Sequence, residues 1–101
     1  HHGTTNAVVM LPVLRSNRPA IETRISAAAD YLGIDGGFDG FYDFVAALIA
    51  QLEIPPNLTA LGVTDPDVDA VVRAALTDPS AGGNPVEMTY DHTKSLLQSC
   101  L

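Results

Sequence analysis

The chain has 101 residues, of which 47% are hydrophobic and 17% are charged, so it can form one small globular domain but not two. Twelve acidic residues against five basic ones give a formal net charge of −7. This charge disfavours nucleic acid and anionic membrane surfaces as partners, because both are bound by clustered Lys and Arg. Cys100 is the single cysteine, which excludes an internal disulfide. With no apolar membrane-spanning stretch and no secretory leader, we expect a reducing, cytoplasmic setting.

The first third of the chain predicts two helices. Apolar residues recur with helical spacing throughout the sequence, and no stretch alternates as a strand would. We predict a first helix over about residues 4–16, kinked at Pro12, and a second over about residues 19–32. Asn17-Arg18-Pro19 separates the two, because proline suits the first position of a helix. Gly33 ends the second helix.

The most hydrophobic segment follows the loop Asp35-Gly36-Gly37 and predicts a third helix ending near Leu52. Its apolar content leads us to expect that this helix is the central one. Pro55-Pro56 then breaks the chain, and Leu58 to Val63 predicts only a short helical turn. The side chains expected to face inward on the third helix are Phe38, Phe41, Tyr42, Val45, Leu48, Ile49 and Leu52.

Two capping signals mark the last helices. Asp65-Pro66 predicts a helix with Asp65 as N-cap and Pro66 as first residue, and Thr89 predicts the N-cap of the final helix. A polar loop over residues 78–84 lies between them. We therefore predict an all-α fold, a compact bundle of about five helices. The apolar side chains expected inside are Val68, Val71, Val72 and Ala75 on the fourth helix, and Tyr90, Leu96, Leu97 and Leu101 on the last.

Four segments of the chain carry a resemblance to a known family. They are H-G-T-T-N-A-V-V-M at 2–10, I-P-P-N-L-T-A-L-G-V at 54–63, D-P-S-A-G-G-N-P at 78–85 and M-T-Y-D-H-T-K-S-L-L at 88–97. In order and spacing they resemble the C-terminal helical domain of the iron-dependent alcohol dehydrogenases, which share a dehydroquinate synthase-like fold. Glycerol dehydrogenases and dehydroquinate synthases are alternatives within this superfamily, although the H-G-x-x-N-A start fits the alcohol dehydrogenase branch better.

The resemblance implies that residues 1–101 are one helical domain, the C-terminal part of a larger two-domain enzyme whose dinucleotide-binding domain is absent here. It implies Fe(II) or Zn(II) and NAD(P) as cofactors of the intact enzyme, a small alcohol or aldehyde as substrate, and a homo-oligomer. His2 would be a metal ligand, the last of an aspartate and three histidines. Ser80 stands near the family's substrate pocket, where a cysteine is common. The fragment alone would be inactive and hold no cofactor tightly.

Other interpretations of these residues stay open. His1-His2 could be the remains of an affinity tag, and His1 is interpreted as a flanking residue, not a ligand. The whole chain could instead be a stand-alone helical interaction module without catalysis. His92 is interpreted as a solvated surface residue. The aspartates between residues 65 and 69 are interpreted as helix caps, and the aromatic cluster at 38–44 as core.

Overall fold

The computed structural model describes residues 2–101, so the expectation for His1 lies outside the described residues. Its elements are α1 (His2–Tyr31), α2 (Gly37–Gln51), α3 (Leu58–Leu61), α4 (Val68–Thr77), a 3₁₀ helix (Pro79–Gly83) and α5 (Tyr90–Cys100). The described part of the chain contains no strand, which confirms the predicted all-α fold class. Within the same part, every helix is too short or too polar to cross a membrane.

The first two predicted helices are one. α1 runs for 30 residues with Pro12 and Pro19 both inside it, so the predicted separation at residues 17–19 is wrong. Asn17 does not cap a new helix; its side chain is buried and bonded to Asn84. Proline removes only one backbone N–H donor. Packing of the helix against the rest of the chain can therefore keep the backbone helical at a proline.

An arginine clamp spans the second proline. The Arg18 guanidinium pairs with Glu22 one turn later, at 2.8 Å, and so ties the turns on either side of Pro19. It also pairs with Asp39 of α2 at 2.9 Å and lies over the Phe38 ring, 4.6 Å from its centroid. These contacts hold α2 against α1 at the position where the sequence predicted a break.

The central helix is α1, and α2 lies at the edge of the domain. α1 packs against α2, α3 and α5, whereas α4 packs against α5 and the 3₁₀ helix. The expectation that the third predicted helix is central is therefore wrong. Only one side of α2 is covered, because Phe38 and Val45 are buried while Phe44, Leu48 and Leu52 are exposed. The molecule measures 41 × 30 × 19 Å, thin enough that a helix at its edge keeps a free face.

The main core lies where α1, α3 and α5 meet. Val8, Leu58 and Cys100 are buried together there, and apolar residues of the loops before and after α3 pack around them. Cys100 thus fills the core as a small hydrophobe. The half-buried residues around this cluster are Val9, Ile54, Leu61, Val63, Leu96, Leu97 and Leu101.

The turn from α1 to α2 requires glycine at two positions. Gly36 adopts a left-handed conformation with φ of 99° as the N-cap of α2. Gly40 lies against the preceding loop, where an added Cβ would overlap the Asp35 carbonyl oxygen. This close approach brings α2 back along α1.

Of the two capping predictions, one is confirmed and the other is two residues off. Thr89 accepts a hydrogen bond from the backbone N–H of His92 and caps α5 as predicted. The cap of α4 is Asp67, whose side chain accepts from the Ala70 N–H at 3.1 Å. Asp65 instead has a φ of 46°, and it lies outside the helix together with Pro66. The sequence between residues 65 and 69 offers three aspartates, and the one with extended backbone became the cap.

A reciprocal amide pair joins the centre of α1 to the segment before α5. Asn17 and Asn84 each donate an amide N–H to the side-chain oxygen of the other, both at 2.9 Å. Asn84 also donates to the Val86 carbonyl at 2.7 Å. Because Asn17 is buried, Asn84 satisfies polar atoms that would otherwise be desolvated without partners.

A second polar contact joins α4 to α5. Asp69 accepts from Arg73 at 2.9 Å and from the Tyr90 hydroxyl at 2.6 Å, and Arg73 lies over the Tyr90 ring. The hydrogen bond from Arg73, followed by that from Tyr90, lowers the pKa of the Asp69 carboxyl. The same carboxylate raises the pKa of the Tyr90 hydroxyl, which stays protonated as the donor.

We predict that Asn84→Ala lowers the free energy of unfolding by about 1–3 kcal/mol, because it leaves the buried Asn17 amide unpaired. Urea unfolding followed by circular dichroism measures this. Gln98→Ala, a change at an exposed position of α5, is the matched control and should have a far smaller effect. Equal losses in the two variants would contradict the role of the amide pair.

We predict that Asp69→Asn makes the free energy of unfolding decrease less as the pH is lowered. Since the folded-state pKa of Asp69 is lowered, its contribution is present above the unfolded pKa of about 4 and is lost as pH falls through the folded value. Between pH 6 and pH 2, the melting temperature measured by thermal unfolding should therefore decline less in the variant than in the parent chain. Asp43→Asn, at an exposed position of α2, should leave the decline unchanged. Identical profiles for Asp69→Asn and the parent would contradict the prediction.

Candidate metal ligand and its surroundings

His2 is the first residue of α1, and its side chain is exposed. One turn along the helix, the Asn6 side-chain nitrogen Nδ2 lies 3.1 Å from the His2 ring nitrogen Nε2. Residues four apart share one face of a helix, which is why the two side chains meet. The contact orients the imidazole and uses one of its two nitrogens.

The surface around His2 is open. A Cβ added to Gly3 would meet nothing within 4 Å, so the glycine of the His-Gly pair is not needed for packing within this chain. Among the described residues, no group of three or more His, Cys, Asp or Glu side chains is arranged to hold a metal. The described part of the chain therefore offers one imidazole at this point, which can complete a metal site but cannot form one.

Ser80 lies in the 3₁₀ helix, and its side chain is exposed. Its backbone N–H donates to the capping Asp78 carboxylate at 2.7 Å. Asn84, four residues after Ser80, donates a hydrogen bond to the Asn17 side chain. Asn17 follows His2 by fifteen positions, which corresponds to about 22 Å along α1. Within residues 2–101, no hydrogen bond joins Ser80 to His2.

His92 is not the solvated residue that the sequence predicted. It is half-buried, and its Nε2 lies 3.0 Å from the Ser16 hydroxyl of α1. The two residues line a cleft of about 200 Å³ between α1 and α5, together with Arg15 and Ser95. Arg15 also donates to the Tyr42 hydroxyl and lies over its ring. His92 thus joins α5 to α1 at Ser16, which follows His2 by fourteen positions along α1.

The aromatic cluster at 38–44 is core only in part. Phe38 is buried, Phe41 and Tyr42 are half-buried, and Phe44 is 54% exposed. Phe38 and Tyr42 contact arginines of α1 through their ring faces. The cluster holds α2 against α1 and does not line the surface around His2.

Sequence reasoning missed the partners of these side chains. The Asn6 contact could have been found, since residues two and six share a helix face. The Ser16–His92 and Asn17–Asn84 pairs join residues 76 and 67 positions apart, and no local pattern marks them. The hydroxyl of Thr93, buried on α5 without a hydrogen-bond partner, was missed for the same reason.

Comparison with known proteins agrees with the helical fold. Residues 1–101 match the family described as Fe-containing alcohol dehydrogenase family, C-terminal. The chain is 30% identical to alcohol dehydrogenase 4 of Schizosaccharomyces pombe over 99% of its length. It is 31% identical to lactaldehyde reductase of Escherichia coli over 97%, and 35% identical to 4-hydroxybutyrate dehydrogenase of Cupriavidus necator over 98%. No solved structure gives a significant match.

The matched region is a small part of each relative. The chain spans 24%, 28% and 27% of these three proteins, about a quarter of their length. The family match nevertheless extends over every residue and includes the His-Gly pair at the start of α1. The chain therefore belongs to the Fe-containing alcohol dehydrogenase family, as its C-terminal domain.

Proposed function

We propose that this chain is the metal-ligating and cleft-forming domain of an NAD(P)-dependent alcohol dehydrogenase. The observation that carries the proposal is the family match over residues 1–101 combined with the exposed side chain of His2, which the match includes. The names of three relatives, an alcohol dehydrogenase, a lactaldehyde reductase and a 4-hydroxybutyrate dehydrogenase, support oxidation of alcohols or reduction of aldehydes.

His2 fits the role of one ligand in a shared site. Imidazole binds Fe(II) and Zn(II), and the exposed ring can reach donors supplied by other parts of a longer protein. The Asn6 amide nitrogen can only donate, so Nε2 is the acceptor in the present contact, and the imidazole would have to release Asn6 to ligate a metal through that nitrogen. When bound, the metal supplies Lewis acidity to an alcohol oxygen, and the nicotinamide supplies the hydride acceptor. The remaining ligands and the dinucleotide-binding domain would lie outside residues 1–101.

We place Ser80 at the substrate cleft as a contact residue. Its support is its position in the D-P-S-A-G-G-N-P segment and its exposure on the 3₁₀ helix. The role is separate from that of His2, since the structure anchors this segment near the centre of α1. Polar loops on rigid scaffolds commonly provide such contacts.

We infer that the free face of α2 is an interface in a homo-oligomer or with the dinucleotide-binding domain. Phe44, Leu48 and Leu52 follow one another at helical spacing and form a continuous apolar stripe, the α2 stripe, which is 43–62% exposed. Tyr31 and Leu32 at the end of α1 are exposed as well. Large apolar patches of this kind mark interaction sites. A stand-alone interaction module would use the same stripe, so the coding sequence upstream of His1 discriminates between the two proposals.

Replacing His2 tests the ligand assignment. In the longer protein that carries this chain, His2→Ala should lower bound metal and alcohol-dependent reduction of the nicotinamide together, each at least about tenfold. Elemental analysis and absorbance at the reduced nicotinamide band measure the two. His92→Ala, the same change at the α1–α5 cleft, should retain the metal. A fully metallated and fully active His2→Ala protein would refute the assignment.

A charge placed on the α2 stripe tests the interface. We predict that the chain self-associates, and that Leu48→Glu shifts its mass in light scattering towards the monomer, because a carboxylate cannot be buried unpaired in an apolar interface. Gln98→Glu introduces the same group on α5, away from the stripe, and should leave the mass unchanged. A parent chain that stays strictly monomeric at high concentration would contradict the prediction.

A further inference from the structure

The cleft between α1 and α5 combines an apolar surface with one cation and several hydrogen-bond donors. Its volume is about 200 Å³, and Pro12 of α1 and Leu96 of α5, both half-buried, form its apolar part. A cavity of about 150 Å³ can hold a benzene molecule, so this cleft has room for a six-membered ring and about three further heavy atoms.

Arg15 is the one permanently charged side chain among the described residues that line this cleft. It donates to the Tyr42 hydroxyl and lies over the Tyr42 ring, 5.2 Å from its centroid, so a neutral neighbour holds the guanidinium in place. Arg18 and Arg73 each pair with a carboxylate. Within residues 2–101, Arg15 makes no ion pair, although the chain has twelve acidic residues.

The other polar groups of the cleft are neutral donors. Ser95 is exposed, and its hydroxyl has no hydrogen-bond partner among the described residues. Ser16 and His92 bond to each other at 3.0 Å, and in either ring tautomer the pair keeps one further O–H or N–H donor. No Asp or Glu of residues 2–101 lines the cleft. The cleft therefore offers a fixed cation and donors without a carboxylate of its own.

These groups fit a ligand with one negative charge. A guanidinium binds a carboxylate through two parallel N–H bonds, and most of the Arg15 donors remain available beside the one used by Tyr42. A single arginine compensates one negative charge. A dianion such as phosphate would keep a second charge uncompensated on a chain whose net charge of −7 repels anions.

The cleft lies well away from the proposed metal ligand. Arg15 follows His2 by thirteen positions, which corresponds to about 20 Å along α1. A molecule small enough for the cleft cannot span this distance. A ligand of the cleft would therefore be distinct from a substrate bound near His2.

We propose that the cleft between α1 and α5 is a binding site for a small organic monocarboxylate with an apolar body about the size of a six-membered ring. The carboxylate pairs with Arg15 and accepts from the Ser95 hydroxyl, and the apolar body lies against Pro12 and Leu96.

Protection of Arg15 by benzoate tests the proposal in the longer protein that carries this chain. Phenylglyoxal modifies accessible arginines, and mass spectrometry of the peptides measures its reaction at each position. At constant ionic strength, benzoate should protect Arg15 at a concentration at least about tenfold below that of benzyl alcohol, a neutral molecule of similar size, because only the carboxylate pairs with the guanidinium. Arg24, exposed on α1 outside the cleft, is the control in the same sample and should stay unprotected.

Two pairs of variants separate the cleft from the overall charge of the protein. Saturation transfer from protein to benzoate, followed by NMR of the ligand, measures binding. Arg15→Gln should weaken it at least about tenfold, whereas Arg24→Gln removes the same charge and should leave it unchanged. Ser95→Glu places a carboxylate in the cleft and should also weaken binding at least about tenfold, whereas Gln98→Glu adds the same charge outside it and should not. Circular dichroism checks that each variant is folded.

The proposal is overturned if benzoate leaves Arg15 unprotected or protects Arg24 equally. It is also overturned if benzyl alcohol protects Arg15 as well as benzoate does, or if folded Arg15→Gln binds benzoate like the parent protein. Since none of these readouts depends on bound metal or turnover, failure here leaves the His2 assignment unaffected.

Discussion

The arrangement of the whole domain depends on α1 staying intact through two prolines. A proline inside a helix costs about 3 kcal/mol or more, because it removes a backbone donor and its ring displaces a carbonyl. Tertiary contacts offset this cost along the helix: Val8 is buried in the core against α3 and α5, and Arg18 bridges the turns around Pro19 and reaches α2. If α1 were broken at residue 17, the buried Asn17 amide could no longer face Asn84, and α2 would lose its support.

Patterns that operate within a few residues were predicted well, and those that depend on distant contacts were not. The all-α class and the Thr89 cap follow from spacing and side-chain chemistry alone. The predicted break at Pro19 was wrong because the proline rule considers only neighbouring residues, whereas this part of α1 also contacts distant ones, as Arg18 contacts Asp39. The central place given to α2 was wrong because high apolar content does not distinguish a helix buried in a core from one with a free apolar face.

The residues of the candidate site show the same difference between what local sequence predicts and what distant contacts decide. His2 and Ser80 came from a resemblance, since a single exposed imidazole and a single exposed hydroxyl have no signature of their own. The structure added what orients them, namely Asn6 beside His2 and the Asp78 cap beside Ser80. Thr93 shows the opposite case: its sequence position in the first turns of α5 suggested nothing, and the structure buries its hydroxyl without a hydrogen-bond partner among the described residues.

The packing of α1 close to His2 supports the proposal that this residue is a ligand shared with another domain. Val8 and Val9 pack into the core within two turns of His2, so the backbone that carries the imidazole is held firmly while the ring stays exposed. Metal ligands are positioned more accurately on such elements than on loops. Gly3 fits the same argument: nothing in the described residues contacts the place of its missing Cβ, so close approach by polypeptide from elsewhere would account for glycine beside the proposed ligand.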